Sequence, residues 1–234
     1  MVDFPGKEKY DLSDFRKLVE ILRHEGGCPW DMEQTHESIR RNTLEEAYEV
    51  CGAIDEGDPV HLREELGDML LHVLFHSSIE ADAGRFDVDD VADAAVKKLV
   101  FRHPHVFGNE EAGSAEEVLD AWESIKEKER AQKLLSETMA GVTAALPSLW
   151  RAEKLQSKAE RAGKSVPDAA AAAERVREYA AEAEREDDAE AAVGELLYAA
   201  VELARKKGVD PETALHAACE RVIEAQRSAE SAEQ

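Results

Sequence analysis

Two acidic pairs on adjoining helical stripes, joined by a Gly-Asp-Pro corner, constrain this chain more than anything else in it. From Leu44 onward, Leu44, Ala47, Tyr48, Cys51 and Ile54 recur at helical spacing, with Glu46 and Glu49 three apart on the border of that apolar face. After Gly57-Asp58-Pro59, a second stripe of Leu62, Leu66, Met69, Leu70 and Val73 is bordered by Glu65 and Asp68. An antiparallel hairpin with both apolar faces in a common core sets the two carboxylate pairs along one seam. Four carboxylates so placed repel one another unless cations lie between them, and oxygen donors suit a hard divalent ion such as Mg2+. The same residues also admit a plainer reading, a solvated acidic face in a chain with 52 Asp and Glu among 234 residues. On that reading Thr43-Leu44-Glu45-Glu46 is a capping box, with Thr43 as the helix N-cap.

With 29 Lys and Arg the net charge is −23 and the pI near 4.7. Phosphate-contact binding to DNA or RNA would bring two polyanions together, so a nucleic-acid polymer is not an expected partner. The charge also repels a free nucleotide unless cations intervene. Cys28, Cys51 and Cys219 are odd in number and lack CxxC spacing, which fits a reducing compartment rather than a disulfide framework. The start MVDFPGKEKYDL has no apolar core of a signal peptide, and no stretch reaches the ~18 apolar residues of a membrane span. A cytoplasmic protein with no membrane association is the expectation.

Taken in order, Ser13–His24 reads as a first amphipathic helix carrying Phe15, Leu18, Val19 and Leu22, capped by Asp11 or Ser13. Gly26-Gly27-Cys28-Pro29-Trp30-Asp31 reads as a loop, its Trp30 either anchored in the core or stacked on a ligand ring. The second hairpin helix runs to about Asp82, where His72 and His76 continue the stripe of Glu65 and Asp68. Asp87 caps a helix over Val88–Phe101, and Arg102-His103-Pro104-His105-Val106-Phe107-Gly108 follows as a loop with groups that can bind phosphate or base. Ser114-Ala115-Glu116-Glu117 opens a further helix that ends in Lys126, Lys128, Arg130 and Lys133. Ala-rich helices dominate from Pro147 onward and carry a faint repeat. Gly194–Tyr198 echoes Gly67–Leu71, Gly208–Pro211 echoes Gly84–Asp87, and Glu178 and Glu182 echo the first acidic pair. Ala192 stands where the first copy has Glu65. No alternating β-branched pattern recurs, so the expected fold class is all-α.

Gly27-Cys28-Pro29-Trp30-Asp31 with Gln34-Thr35, Glu45-Glu46-x-x-Glu49, Glu65-x-x-Asp68, Arg102-His103-Pro104-His105-Val106-Phe107 and Trp122-x-x-Ile125-Lys126-x-x-Glu129-Arg130 occur in that order. Together they resemble the MazG family of nucleoside triphosphate pyrophosphohydrolases, closely from Leu18 to Lys133 and more weakly to about Gln226. The resemblance implies tandem MazG-like helical units, here residues 1–133 and a degenerate 134–234, in a helix-bundle homodimer. It implies hydrolysis of NTPs or dNTPs to monophosphate and pyrophosphate with Mg2+, or Mn2+ in its place. Carried over, Glu46, Glu49, Glu65 and Asp68 match the metal-binding positions, and Glu45 or Glu46 is the candidate proton acceptor. Trp30, Arg102, His103, Lys126, Lys128 and Arg130 are candidates to hold substrate. The second unit departs from the pattern at Ala192, in a shortened segment between Glu182 and Glu195, and in lacking a Phe-Asp-Trp type sequence after Gly163, so the first unit is the expected active one. Two rivals make different demands. A di-iron or di-manganese bundle expects Glu-x-x-His pairs, which the hairpin lacks, and a non-catalytic helical interaction module expects no nucleotide turnover.

Overall fold

Caps written into the sequence set the helix ends. The computed structural model describes residues 4–108, 113–114, 117–118, 134–185 and 189–232. Among these every regular element is helical, and no helix is long and apolar enough to cross a membrane. The chain divides into two units, Met1–Ile125 and Lys126–Gln234.

In the first unit α1 spans Leu12–Arg23, and Asp11 closes a reciprocal capping box with Asp14. Gly27 N–H donates to the His24 carbonyl and Cys28 N–H to the Leu22 carbonyl, each at 2.8 Å. That turn admits only glycine at position 27, because a Cβ there would lie 2.2 Å from the Ile21 carbonyl oxygen. The expected loop then contains a short helix, α2 (Pro29–Met32). Likewise α6 (Pro104–Phe107) occupies the expected loop after Arg102. Both start on a proline, whose fixed φ suits the first helical position and whose missing N–H goes unused there. The hairpin is α3 (His36–Glu56) and α4 (Pro59–Asp82). Gly57 ends α3 at φ 69°, in the left-handed region, and the Asp58 carboxylate then accepts from Val60 N–H at 2.8 Å to cap α4. Asp87 caps α5 (Val88–Arg102) in the same manner. Beyond it, Ser114 Oγ accepts from Glu117 N–H at 3.2 Å, as a capping box requires.

The core of this unit gathers Val19 of α1, Ile39 of α3 and Leu74 and Phe75 of α4, flanked by Phe15, Leu70, Leu71, Ile79 and Val88. Arg23 is buried beside it and fully engaged: Asp82 at 2.8 Å, Ser78 at 3.0 Å, and the Phe75 ring centroid at 5.5 Å.

This packing corrects the expected core. Leu44, Tyr48 and Ile54 are 44%, 58% and 58% exposed, Leu66 is 52% exposed, and Cys51 is exposed too. The face that α3 hides runs instead through Ile39, Thr43, Glu46, Ala47, Val50 and Ala53, an arc of its own at helical spacing. Helix α3 therefore carries two stripes, and the more polar one faces inward.

The second unit contains α7 (Leu135–Ala140), α8 (Ser148–Arg161), α9 (Ala169–Arg185), α10 (Glu190–Lys206) and α11 (Pro211–Ala232). Its tightest pair, α9 with α10, meets through small residues, Ala172, Ala192 and Ala199, all buried. Glu202 is buried against Arg175 at 2.9 Å, and Gln156 donates to the Tyr198 carbonyl at 2.8 Å. The turn after α10, with Gly208 N–H on the Arg205 carbonyl and Val209 N–H on the Ala204 carbonyl, has the bonding of the turn after α4 at Gly84 and Arg85. Asp210 then caps α11 through Thr213 N–H at 2.7 Å, as Asp87 caps α5.

A candidate metal centre on the α3–α4 hairpin

Thr35 caps α3, exchanging hydrogen bonds with Ser38. Thr43 is therefore two turns inside the helix, its hydroxyl donating to the Ile39 carbonyl at 3.1 Å, and the expected capping box at Thr43 is not formed. Glu46 has no capping duty and lies on the inward arc of α3. One oxygen each from Glu46, Glu49 and Glu65 lie within 4.8 Å of one another. Two turns of α3 and one of α4 thus supply three oxygen donors to one place, and that donor set fits a hard divalent cation.

The electrostatics agree. Burial raises the pKa of the Glu46 carboxyl, and the charges of Glu49 and then Asp68 raise it further. Asp68 lies outside the 4.8 Å group but within electrostatic reach of it. His61 bridges two acids, with Nδ1 2.8 Å from Glu56 and Nε2 3.0 Å from Glu65. Its pKa is raised by the Glu56 hydrogen bond first, with Glu65 adding to it, so the two acids favour the charged form of the ring. His72 Nε2 stands 3.8 Å from Glu46 on the other side.

The raised Glu46 pKa gives a signed expectation. A carboxyl whose folded pKa exceeds its unfolded value of 4.5 penalises the fold once both states are ionised. That penalty fades as pH falls through the raised folded value. Glu46→Gln is therefore expected to raise the melting temperature of metal-free protein at pH 7, with the gain vanishing at acid pH. A lower melting temperature at pH 7 in calorimetry would contradict this.

The other expected site residues stand elsewhere. Glu45 is exposed and paired with Arg41 Nε at 2.7 Å rather than grouped with the three acids. Trp30 on α2 is 61% exposed and is not a core anchor. Arg102 ends α5, half-buried. His103 follows it, its Nδ1–H donating to the Leu99 carbonyl at 2.6 Å. Lys126, Lys128, Arg130 and Lys133 lie outside the described residues. His61 has no place in the expected site, although its four-residue spacing to Glu65 on α4 sets the two on one face of that helix.

Against known proteins, the pattern of the MazG nucleotide pyrophosphohydrolase domain matches residues 34–107. The nucleoside triphosphate pyrophosphohydrolase of Escherichia coli is 41% identical over 222 residues, 90% of this chain and 84% of that one. The chain belongs to the MazG family. The nucleoside triphosphate pyrophosphohydrolase/pyrophosphatase MazG of Thermotoga maritima is 38% identical over 216 residues, 90% of this chain and 83% of its own. The solved structure of a mazG-related protein from the same organism aligns with 50% of this chain and 99% of its own at 29% identity, with a TM-score of 0.42. The MazG match begins just before the Thr35 cap and ends with α6. It contains Glu45, Glu46, Glu49, Glu65, Asp68, Arg102 and His103, and leaves Trp30 and the later basic cluster outside.

Proposed function

We propose that this chain hydrolyses nucleoside triphosphates, ribo or deoxy, to the monophosphate and pyrophosphate, using Mg2+ or Mn2+ held by Glu46, Glu49, Glu65 and Asp68. The observation that carries the reading is the convergence of three carboxylate oxygens within 4.8 Å on a MazG hairpin. When bound, the ion supplies neutralisation of the polyphosphate and acidification of water. Glu46, whose proton affinity is raised by burial, is the group of the set best suited to accept the proton of the attacking water. The water oxygen bonds to phosphorus as the P–O bond bridging the α- and β-phosphoryl groups breaks, the electron pair passing to the leaving oxygen, so that monophosphate and pyrophosphate separate. Arg102, His103, Lys126, Lys128, Arg130 and Trp30 are assigned to the nucleotide.

On this reading residues 134–234 are a degenerate second copy. Ala192 is buried at 6% exposure where the first copy has Glu65, and among the described residues the second unit gathers no comparable acidic group. A homodimer covers the exposed Leu44, Tyr48, Ile54 and Leu66, and a reducing cytoplasmic setting suits the three free cysteines. Sedimentation equilibrium should return twice the 25.9 kDa of one chain, and a monomer would refute the dimer. The activity is tested by product analysis of NTPs incubated with the protein with and without Mg2+. Monophosphate and pyrophosphate only with Mg2+ support the reading; diphosphate and phosphate, or no turnover, refute it.

A further inference from the structure

Helix α2 is too short to hold itself, and the side chains that hold it leave its aromatic ring in solvent. A single helical turn fixes several residues for one hydrogen bond, here Met32 N–H on the Cys28 carbonyl at 3.0 Å. The later carbonyls of such a turn have no α-helical partner within it. Glu33 N–H supplies the Trp30 carbonyl at 3.2 Å, and Gln34 Nε2 donates to the same oxygen at 2.7 Å. Arg23 Nη1 reaches the next carbonyl, that of Asp31, at 3.4 Å. Both side chains are themselves held. Gln34 Oε1 accepts from the Ser38 hydroxyl at 2.7 Å, in the first turn of α3. Arg23 is buried against Ser78 and Asp82 of α4. The entry to α2 is tied too, by Cys28 N–H on the Leu22 carbonyl at 2.8 Å and by the glycine-only turn at Gly27.

Helix α2 is thus fastened to α1, α3 and α4, yet Trp30 stands 61% exposed upon it. A large flat ring on a fixed backbone is a platform for a planar ligand, because less ordering is left to be done on binding. We propose that Gln34 and Arg23 are positioning residues that fix α2, so that the Trp30 indole is pre-set for the base of the nucleotide. This rests on the reading above that assigns Trp30 to the nucleotide. The base is remote from the bond that breaks, so the ring holds ground state and transition state alike. Its setting governs KM and leaves kcat alone.

Gln34→Met tests it, because methionine keeps the unbranched stem and loses the donor, at a half-exposed position. Ser38 Oγ still has the Thr35 carbonyl at 3.1 Å. In the metal-free full chain labelled with fluorotryptophan, the fluorine line of Trp30 is assigned by its absence from Trp30→Phe. Gln34→Met should shift or broaden that line. Arg23→Lys, which keeps a cation for Asp82 and gives up the arm to Asp31, should do the same. In turnover, Gln34→Met should raise KM for NTP about threefold to tenfold, the range for ordering one side chain on binding, with kcat within about twofold of the parent. In a Trp30→Ala background the same substitution should change KM less than about twofold, because its effect passes through the ring. An unmoved Trp30 line, an unchanged KM, a loss that falls on kcat, or a KM effect that persists in Trp30→Ala would overturn the proposal. The spectra need neither metal nor substrate, so an inactive parent would count against the hydrolase reading while the Trp30 line still decides whether Gln34 and Arg23 hold α2.

Discussion

Alanine in place of Glu49 is expected to lower kcat/KM for nucleotide hydrolysis at least ~100-fold, about 2.7 kcal/mol of transition-state stabilisation, in a protein that stays folded. Glu49 is exposed on α3, so truncating it opens no cavity. Its oxygen is nonetheless one of the three that converge within 4.8 Å, and the other two cannot move to replace it without leaving their helical turns. Removing a like charge also lessens the repulsion that raises the Glu46 pKa, so metal-free stability should hold or rise slightly. Steady-state kinetics beside circular dichroism checks both halves. Full turnover in a folded Glu49→Ala protein would remove this residue from the site.

Phe75→Ala is expected to destabilise the first unit by about 3–5 kcal/mol, the range for truncating a buried aromatic ring. Phe75 is 5% exposed and packs with Val19, Ile39 and Leu74, so its loss opens a cavity where α1, α3 and α4 meet. The Arg23 guanidinium, 5.5 Å from the ring centroid, loses that aromatic face as well. Because α1 and α4 are tied to α3 through this core, the carboxylate group should loosen before global unfolding. Urea denaturation measures the cost, and a value under about 1 kcal/mol would mean that the core is not centred here.

Local chemistry was legible in the sequence, and long-range choices were not. Asp11, Asp87 and the Gly57-Asp58-Pro59 corner act on backbone groups two or three residues away, so the residues that end the helices can be read directly. The Glu46–Glu49 spacing announces a shared helix border for the same reason. The choice of inward face on α3 is different, because the helix carries two stripes and nothing local says which of them meets α4. The more apolar stripe, with Leu44, Tyr48 and Ile54, is the exposed one. Thr-x-x-Glu at Thr43 has the form of a capping box, whereas the helix begins at the Thr35–Ser38 box two turns earlier. His36 lies 40 residues from its partner His76, and no pattern of either helix alone pairs them.

The carboxylates of the first unit, not those of the second, are assigned the chemistry. Turnover of Asp68→Ala and Glu195→Ala, measured side by side at the same Mg2+ and NTP concentrations, addresses that directly. Asp68 stands beside the converged carboxylates and raises the Glu46 pKa, while Glu195 is exposed on α10 within three residues of the buried Ala192. The expected result is a loss of ~100-fold or more for Asp68→Ala, and for Glu195→Ala a rate within a few-fold of the parent, at most ~1 kcal/mol. The reverse pattern, with Glu195→Ala crippled and Asp68→Ala nearly intact, would contradict the assignment and place the active carboxylates in the second unit.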